Sequence, residues 1–199
     1  KKNTDLKVIA MVRPRGAGFC YTPGEFETMR ADAELLMKNG ADGLAFGCLD
    51  RDGNIQEEQT RIITGIIKKY GGEAVFHRAF DCVQDPYRAM EQLISMGIDR
   101  VLTSGLKPKA MDGLELIAEL QKQYGDRIQI LAGSGMNASN AKEMMDRTGI
   151  SQVHSSCKGW ACDPTTEGAE VSYAYAGAEH ACDYDIVDEK LVRELVAAV

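Results

Sequence analysis

Apolar and polar positions along this chain fall into blocks that keep a regular beat. Val8-Ile9-Ala10-Met11-Val12 is a short, largely β-branched run closed by Arg13-Pro14, which predicts a buried strand. From Gly24 to Asn39, Phe26, Met29, Ala33, Leu36 and Met37 recur at helical spacing, and Gly40 stands where a helix end takes a left-handed residue. A second apolar run, Gly43 to Gly47, follows, and helical spacing returns at Ile62, Ile63, Ile66 and Ile67. The same alternation predicts strands at Ala74–His77, Arg100–Thr103, Ile128–Ala132 and Gln152–Ser155, with helices over Pro86–Met96, Asp112–Tyr124 and Ala138–Arg147.

An internal echo supports this count of six strands. Gly40-Ala41-Asp42-Gly43-Leu44, Gly97-Ile98-Asp99-Arg100-Val101 and Gly149-Ile150-Ser151-Gln152-Val153 share one phrase: a helix stop, a short link and a strand start. Repeated βα units with right-handed crossovers build a parallel sheet covered by helices. Pattern alone leaves open whether that sheet closes into a barrel. After Ser156 the beat stops. Residues 157–186 carry neither period and predict a long functional or mobile loop. Val187, Leu191, Leu195 and Val196 then mark a closing amphipathic helix over 187–199.

Composition narrows the function classes. The chain has 199 residues, 44% apolar and 27% charged, the profile of a folded domain rather than a disordered chain. No apolar run approaches the ~18 residues of a membrane span, and Lys1-Lys2-Asn3-Thr4-Asp5 leads into no signal-type core. The expectation is a soluble, cytosolic single domain without a membrane partner. A net charge of −7, with Lys1-Lys2 and Lys68-Lys69 as the longest basic runs, argues against nucleic acid. Six cysteines spread along a chain of this size, with no Cys-x-x-Cys pair, predict free thiols rather than a disulfide scaffold.

In parallel α/β folds ligands bind at the carboxyl ends of strands. The residues in those places are Arg13 and Arg15, Gly47 and Cys48, His77, Arg78 and Asp81, Thr103 and Ser104, Gly133-Ser134-Gly135, and His154-Ser155-Ser156. This set is polar and cationic on an acidic chain, which suggests a small anionic ligand held by arginine forks. His77 is the candidate to move a proton. Asp81 could orient an imidazole or a neighbouring arginine, or cap a helix. Gly133-Ser134-Gly135-Met136-Asn137-Ala138 formally fits a loose dinucleotide pattern, but His154-Ser155 stands where the confirming acid belongs. A phosphate or carboxylate cradle at a helix N-terminus is its functional reading, and a plain tight turn its structural one.

Metal chemistry has one suggestive stretch. His154, Cys157, Cys162, His180 and Cys182 all fall in the last strand and the segment after it, with His154, Cys157 and Cys162 as the candidate ligands. Their spacing matches no standard motif. H-E-x-x-H, Walker A and G-x-S-x-G signatures are all missing from the sequence.

Taken in order, Val12-Arg13-Pro14-Arg15-Gly16, Phe19-Cys20-Tyr21, Phe76-His77-Arg78-Ala79-Phe80-Asp81, Arg100-Val101-Leu102-Thr103-Ser104-Gly105 and Val153-His154-Ser155-Ser156 closely resemble the CutC family of copper homeostasis proteins. The resemblance runs through essentially the whole chain. It implies a (β/α)8 TIM-barrel type of α/β fold, a cytoplasmic homo-oligomer such as a dimer, and Cu(I) as the ion bound or handled. The alternative is a barrel enzyme acting on a small phosphorylated or carboxylated metabolite. Family members typically begin with two further βα units carrying the cysteines proposed for Cu(I), and those cysteines have no counterpart here. Gly133-Ser134-Gly135 also replaces the family's commoner run of three glycines. The expectation is a single barrel domain over 1–199, incomplete at its N-terminus, with six strands in an open arc. The soft side chains left for copper are the six cysteines, with Met11 and Met136 as weaker donors.

Overall fold

The computed structural model describes residues 5–199, so the Lys1-Lys2 pair lies outside the described residues. Six parallel strands form one sheet in sequence order: β1 (Ile9–Met11), β2 (Gly43–Phe46), β3 (Glu73–Phe76), β4 (Arg100–Thr103), β5 (Gln129–Gly133) and β6 (Val153–His154). Between them run α1 (Pro23–Lys38), α2 (Glu57–Lys69), α3 (Pro86–Ser95), α4 (Leu114–Tyr124) and α5 (Ala141–Thr148). The sheet curls into a half-barrel. Among the described residues β1 pairs only with β2 and β6 only with β5, so the arc is open, as expected.

Each boundary has a local cause. The Thr22 hydroxyl accepts the Glu25 N–H, and the Glu25 carboxylate accepts the Thr22 N–H, a capping box that starts α1 with Pro23 in its first turn. Asp85 accepts from the N–H groups of Tyr87 and Arg88 to start α3, again ahead of a proline. Gly149, at φ 77°, ends α5 in the left-handed conformation. That helix begins at Ala141, later than periodicity predicts. Asn137 and Asn140 divert the preceding turn into side-chain bonds: Asn140 accepts the Asn137 N–H, and Asn137 accepts the Ser139 N–H.

The strand alternation separates two faces. Leu44, Phe46, Ala74, Phe76, Val101, Ile130 and Ala132 join the helix residues Met29, Ile63, Ile67, Leu93, Ile117, Leu120 and Met144 in one buried cluster. The in-between positions, Met11, Ala45, Val75 and Leu102, look into the concavity of the half-barrel, and Met11 is 57% exposed there.

One expectation is corrected. Residues 157–186 are not structureless: β7 (Lys158–Cys162) and the antiparallel β8 (Asp183–Val187) pair as a separate two-stranded sheet, with Trp160 opposite Asp185. The signal is weak because both strands are largely solvent-facing and so lack a hydrophobic alternation. Residues 163–182 separate them, too far for a short hairpin-turn motif. A final helix, α6 (Glu189–Ala198), follows, and Leu195 packs it on the core.

Candidate functional site

A cavity of about 520 Å³ opens at the carboxyl ends of the strands, in the mouth of the half-barrel. Of the predicted residues, Arg13, His77, Arg78, Asp81, Ser134, Gly135, His154, Ser155 and Ser156 line it. Arg15, Thr103, Ser104 and Gly133 do not, and each is engaged elsewhere.

The connection from β1 to α1 carries Arg13 into the mouth. Its guanidinium donates to the Ala17 carbonyl and lies 4.8 Å over the Phe19 ring, and among the described residues no carboxylate pairs with it. Arg15, two residues on, is turned to a structural task. It donates to the carbonyls of Gly16, Gly18 and Cys20 and pairs with Glu25, so it fastens the glycine-rich connection to the capping box of α1. Arg15, followed by the Thr22 N–H, holds the Glu25 carboxyl down to about 2.

At the end of β3 the chain turns through a short 3-10 segment, Arg78–Cys82, which periodicity does not predict. Within it Asp81 is almost saturated. It accepts from the Thr103 hydroxyl at 2.6 Å, from the backbone N–H groups of Ser104 at 2.9 Å and Leu106 at 3.2 Å, and from Arg78 Nε at 2.8 Å. Thr103 and Ser104 are therefore buried partners of Asp81 and stand outside the cavity lining. Of the roles open to Asp81 in the sequence, orienting the arginine is the one its bonds describe. Arg78, also donating to the Ser104 hydroxyl at 2.9 Å, stands at the cavity wall with two of its donors anchored.

His77 is 3% exposed, and burial, followed by the charge of Arg13, lowers its pKa to about 4. Its Nδ1 accepts the Ala79 N–H at 3.2 Å. Across the cavity Ser134, at φ 88°, and Gly135, at φ 73°, form a tight turn held by the Ser134 hydroxyl donating to the Pro108 carbonyl. None of the described residues accepts from the backbone N–H of Gly135 or Met136. Gly133 instead packs under the turn, where a Cβ would stand 2.6 Å from a Leu102 methyl. His154 ends β6, its pKa lowered by partial burial, and the Ser155 hydroxyl accepts the Cys157 N–H.

Met11, Phe19, Cys82, Leu102 and Met136 also line the mouth. Met11 and Leu102 were findable as inward positions of a period-two strand. Phe19 carried no such signal.

The candidate metal ligands are not brought together. Cys157 precedes β7 and Cys162 ends it, a separation of roughly 16 Å along an extended strand. His180 pairs with Asp183 and stacks on Trp160 at 4.0 Å. Among the described residues no three His, Cys, Asp or Glu side chains stand close enough to share an ion. All six cysteines are free thiols, and burial pushes Cys48 up to about 12.

Comparison with known proteins places this geometry. The profile of the CutC family matches residues 1–159. The chain belongs to the CutC family. A CutC family protein from Treponema denticola is 45% identical over 178 residues, covering 89% of this chain and 71% of the relative. The human copper homeostasis protein cutC homolog is 39% identical over 158 residues, covering 79% of this chain and 57% of the relative. The crystal structure of CutC from Streptococcus agalactiae superposes with a TM-score of 0.72 at 28% identity, covering 77% of this chain and 74% of that one. The chain thus spans between about half and three quarters of the CutC proteins it matches. No helix among the described residues is long and apolar enough to cross a membrane.

Proposed function

We propose that the mouth of this CutC half-barrel binds a small phosphorylated or carboxylated metabolite and that the protein is an enzyme acting on it. The observation that carries this reading is the Arg13 guanidinium, at the cavity wall without a carboxylate partner among the described residues, opposite a backbone turn whose N–H groups no described residue accepts. Arg78, held in place by Asp81 and Ser104, supplies a second fork. Six unpaired cysteines fit a reducing, cytoplasmic setting.

Copper handling is the second reading, favoured by the copper-homeostasis name of the human relative. Cu(I) would then be cargo, and the soft side chains nearest the mouth are Cys82, Met11, Met136 and His154.

One paired titration separates the two. A thermal-shift screen of sugar phosphates and carboxylic acids should stabilise the protein, and Arg13→Ala should weaken the best hit about tenfold or more, as loss of a charged hydrogen bond does. Cu(I), added to the reduced protein against a competing chelator, should bind no more tightly than ordinary thiols. No hit at millimolar concentration, together with tight Cu(I) binding lost in Cys82→Ser, would replace the first reading with the second.

A further inference from the structure

His77 presents an observation the anion reading does not use. Of the buried side-chain polar atoms without a partner among the described residues, its Nε2 is the one on a residue lining the cavity. Because Nδ1 accepts the Ala79 N–H, the neutral ring carries its proton on Nε2. The ring is also turned in a defined way. A methyl group at Gly47 would stand 2.6 Å from Nδ1 and 2.7 Å from Cε1, so that edge of the ring lies against the backbone of β2's exit. The Nε2–Cδ2 edge is turned away from that backbone, on a residue that lines the cavity, and Nε2 itself is buried. A buried N–H with no acceptor is rare in folded proteins and calls for a partner atom.

We propose that His77 is a neutral hydrogen-bond donor that gives its Nε2–H to a carbonyl or hydroxyl oxygen of the bound metabolite, beside the anionic group held by Arg13 and Arg78. The inference rests on the anion reading and sharpens it. The ligand is a two-headed molecule, an oxo or hydroxy compound bearing a phosphate or carboxylate. The donor polarises the oxygen it touches, and it replaces the proton-moving role expected from the sequence. A histidine kept neutral in this way is a known electrophile for carbonyl groups. The Phe19 ring, on the glycine-rich connection, packs 5.0 Å from the imidazole between centroids and shares the cavity wall with it.

The charged or titratable groups sharing the cavity with His77 are Arg13, the Arg78–Asp81 pair and Cys82 on its own turn, and His154. Imidazole 15N spectra of the free protein between pH 6 and 8 should show His77 uncharged and protonated at Nε2. Dihydroxyacetone phosphate and pyruvate serve as two-headed probes, with inorganic phosphate and acetate as single-headed controls. A two-headed probe should shift the Nε2–H resonance, bind about tenfold more weakly to His77→Phe, and regain affinity in His77→Gln, whose amide restores a donor. An imidazolium, or a proton on Nδ1, in the free protein overturns the proposal without any ligand. Arg13-dependent binding that leaves the Nε2 resonance unmoved and His77→Phe unaffected overturns it while the anion reading stands. Failure of all four compounds to bind at millimolar concentration overturns both.

Discussion

Burial of His77 has a consequence for stability that can be read against pH. The folded ring titrates near 4 and the unfolded one near 6.5, so between these values the unfolded chain binds the extra proton. Stability contributed by this site is constant above pH 6.5, falls as the pH drops towards 4, and changes no further below that. The loss across the window is on the order of 3 kcal/mol. Urea unfolding at a series of pH values should show this slope in the wild type and a shallower one in His77→Gln. Equal slopes would mean that the folded ring titrates normally. Asp81 illustrates the opposite case at the same scale. It is 8% exposed and surrounded by donors, so its charge is spent on the β4 exit and on Arg78. Asp81→Ala strands the Ser104 and Leu106 N–H groups and should cost about 3–5 kcal/mol in the same unfolding measurement. A loss below about 1 kcal/mol would show that water replaces the carboxylate at no large cost.

Among the elements, the β1–α1 connection matters most to the site, because Arg13 and Phe19 both sit on it. Its shape comes from outside the connection. Glu25, in the first turn of α1, holds Arg15, and Arg15 gathers the carbonyls of Gly16, Gly18 and Cys20. The Glu25 carboxyl is held near 2, below its ordinary 4.5, so the pairing is complete above pH 4.5 and is lost as the pH falls towards 2. Glu25→Gln keeps much of the cap but removes the charge that Arg15 answers. Hydrogen exchange at Leu49, whose N–H donates to the Phe19 carbonyl on this connection, should accelerate several-fold while Met29 to Ala33, in the middle of α1, stays protected. Acceleration along the whole helix would show instead that the cap, not the arginine, was the anchor.

At the scale of the whole molecule two parts differ in how they are held. The six-stranded sheet and its helices share one buried cluster, whereas β7 and β8 pair mainly with each other. Between these two strands Tyr173 is 81% exposed and Tyr175 61% exposed. Brief chymotrypsin treatment should cut first at these tyrosines and leave the far-ultraviolet signal of the sheet in place. A first cut between Gly43 and Gly133 would contradict this division.

The βα repeat, the order of its units and most helix boundaries were legible in the sequence, because each depends on periodicities and caps spanning a few residues. The 3-10 turn at Arg78–Cys82 and the β7–β8 pair were not. The first is fixed by the Asp81 bonds to a strand 22 residues away, and the second joins two exposed segments with no apolar alternation. The candidate site divides along the same line. Its chemical character, arginines and histidines at strand ends, follows from sequence once the fold is parallel α/β. Which of them line the cavity does not. Arg13 and Arg15 are two residues apart and chemically alike, yet one lines the mouth and the other staples a loop. His77 reads as a proton carrier from the sequence, whereas its burial and the Ala79 N–H on its Nδ1 are visible only in the folded chain. Local sequence determines what a residue can do. Burial, charge neighbours and hydrogen-bond partners are long-range properties of the folded chain, and only the tertiary structure decides which of those capacities is left unspent.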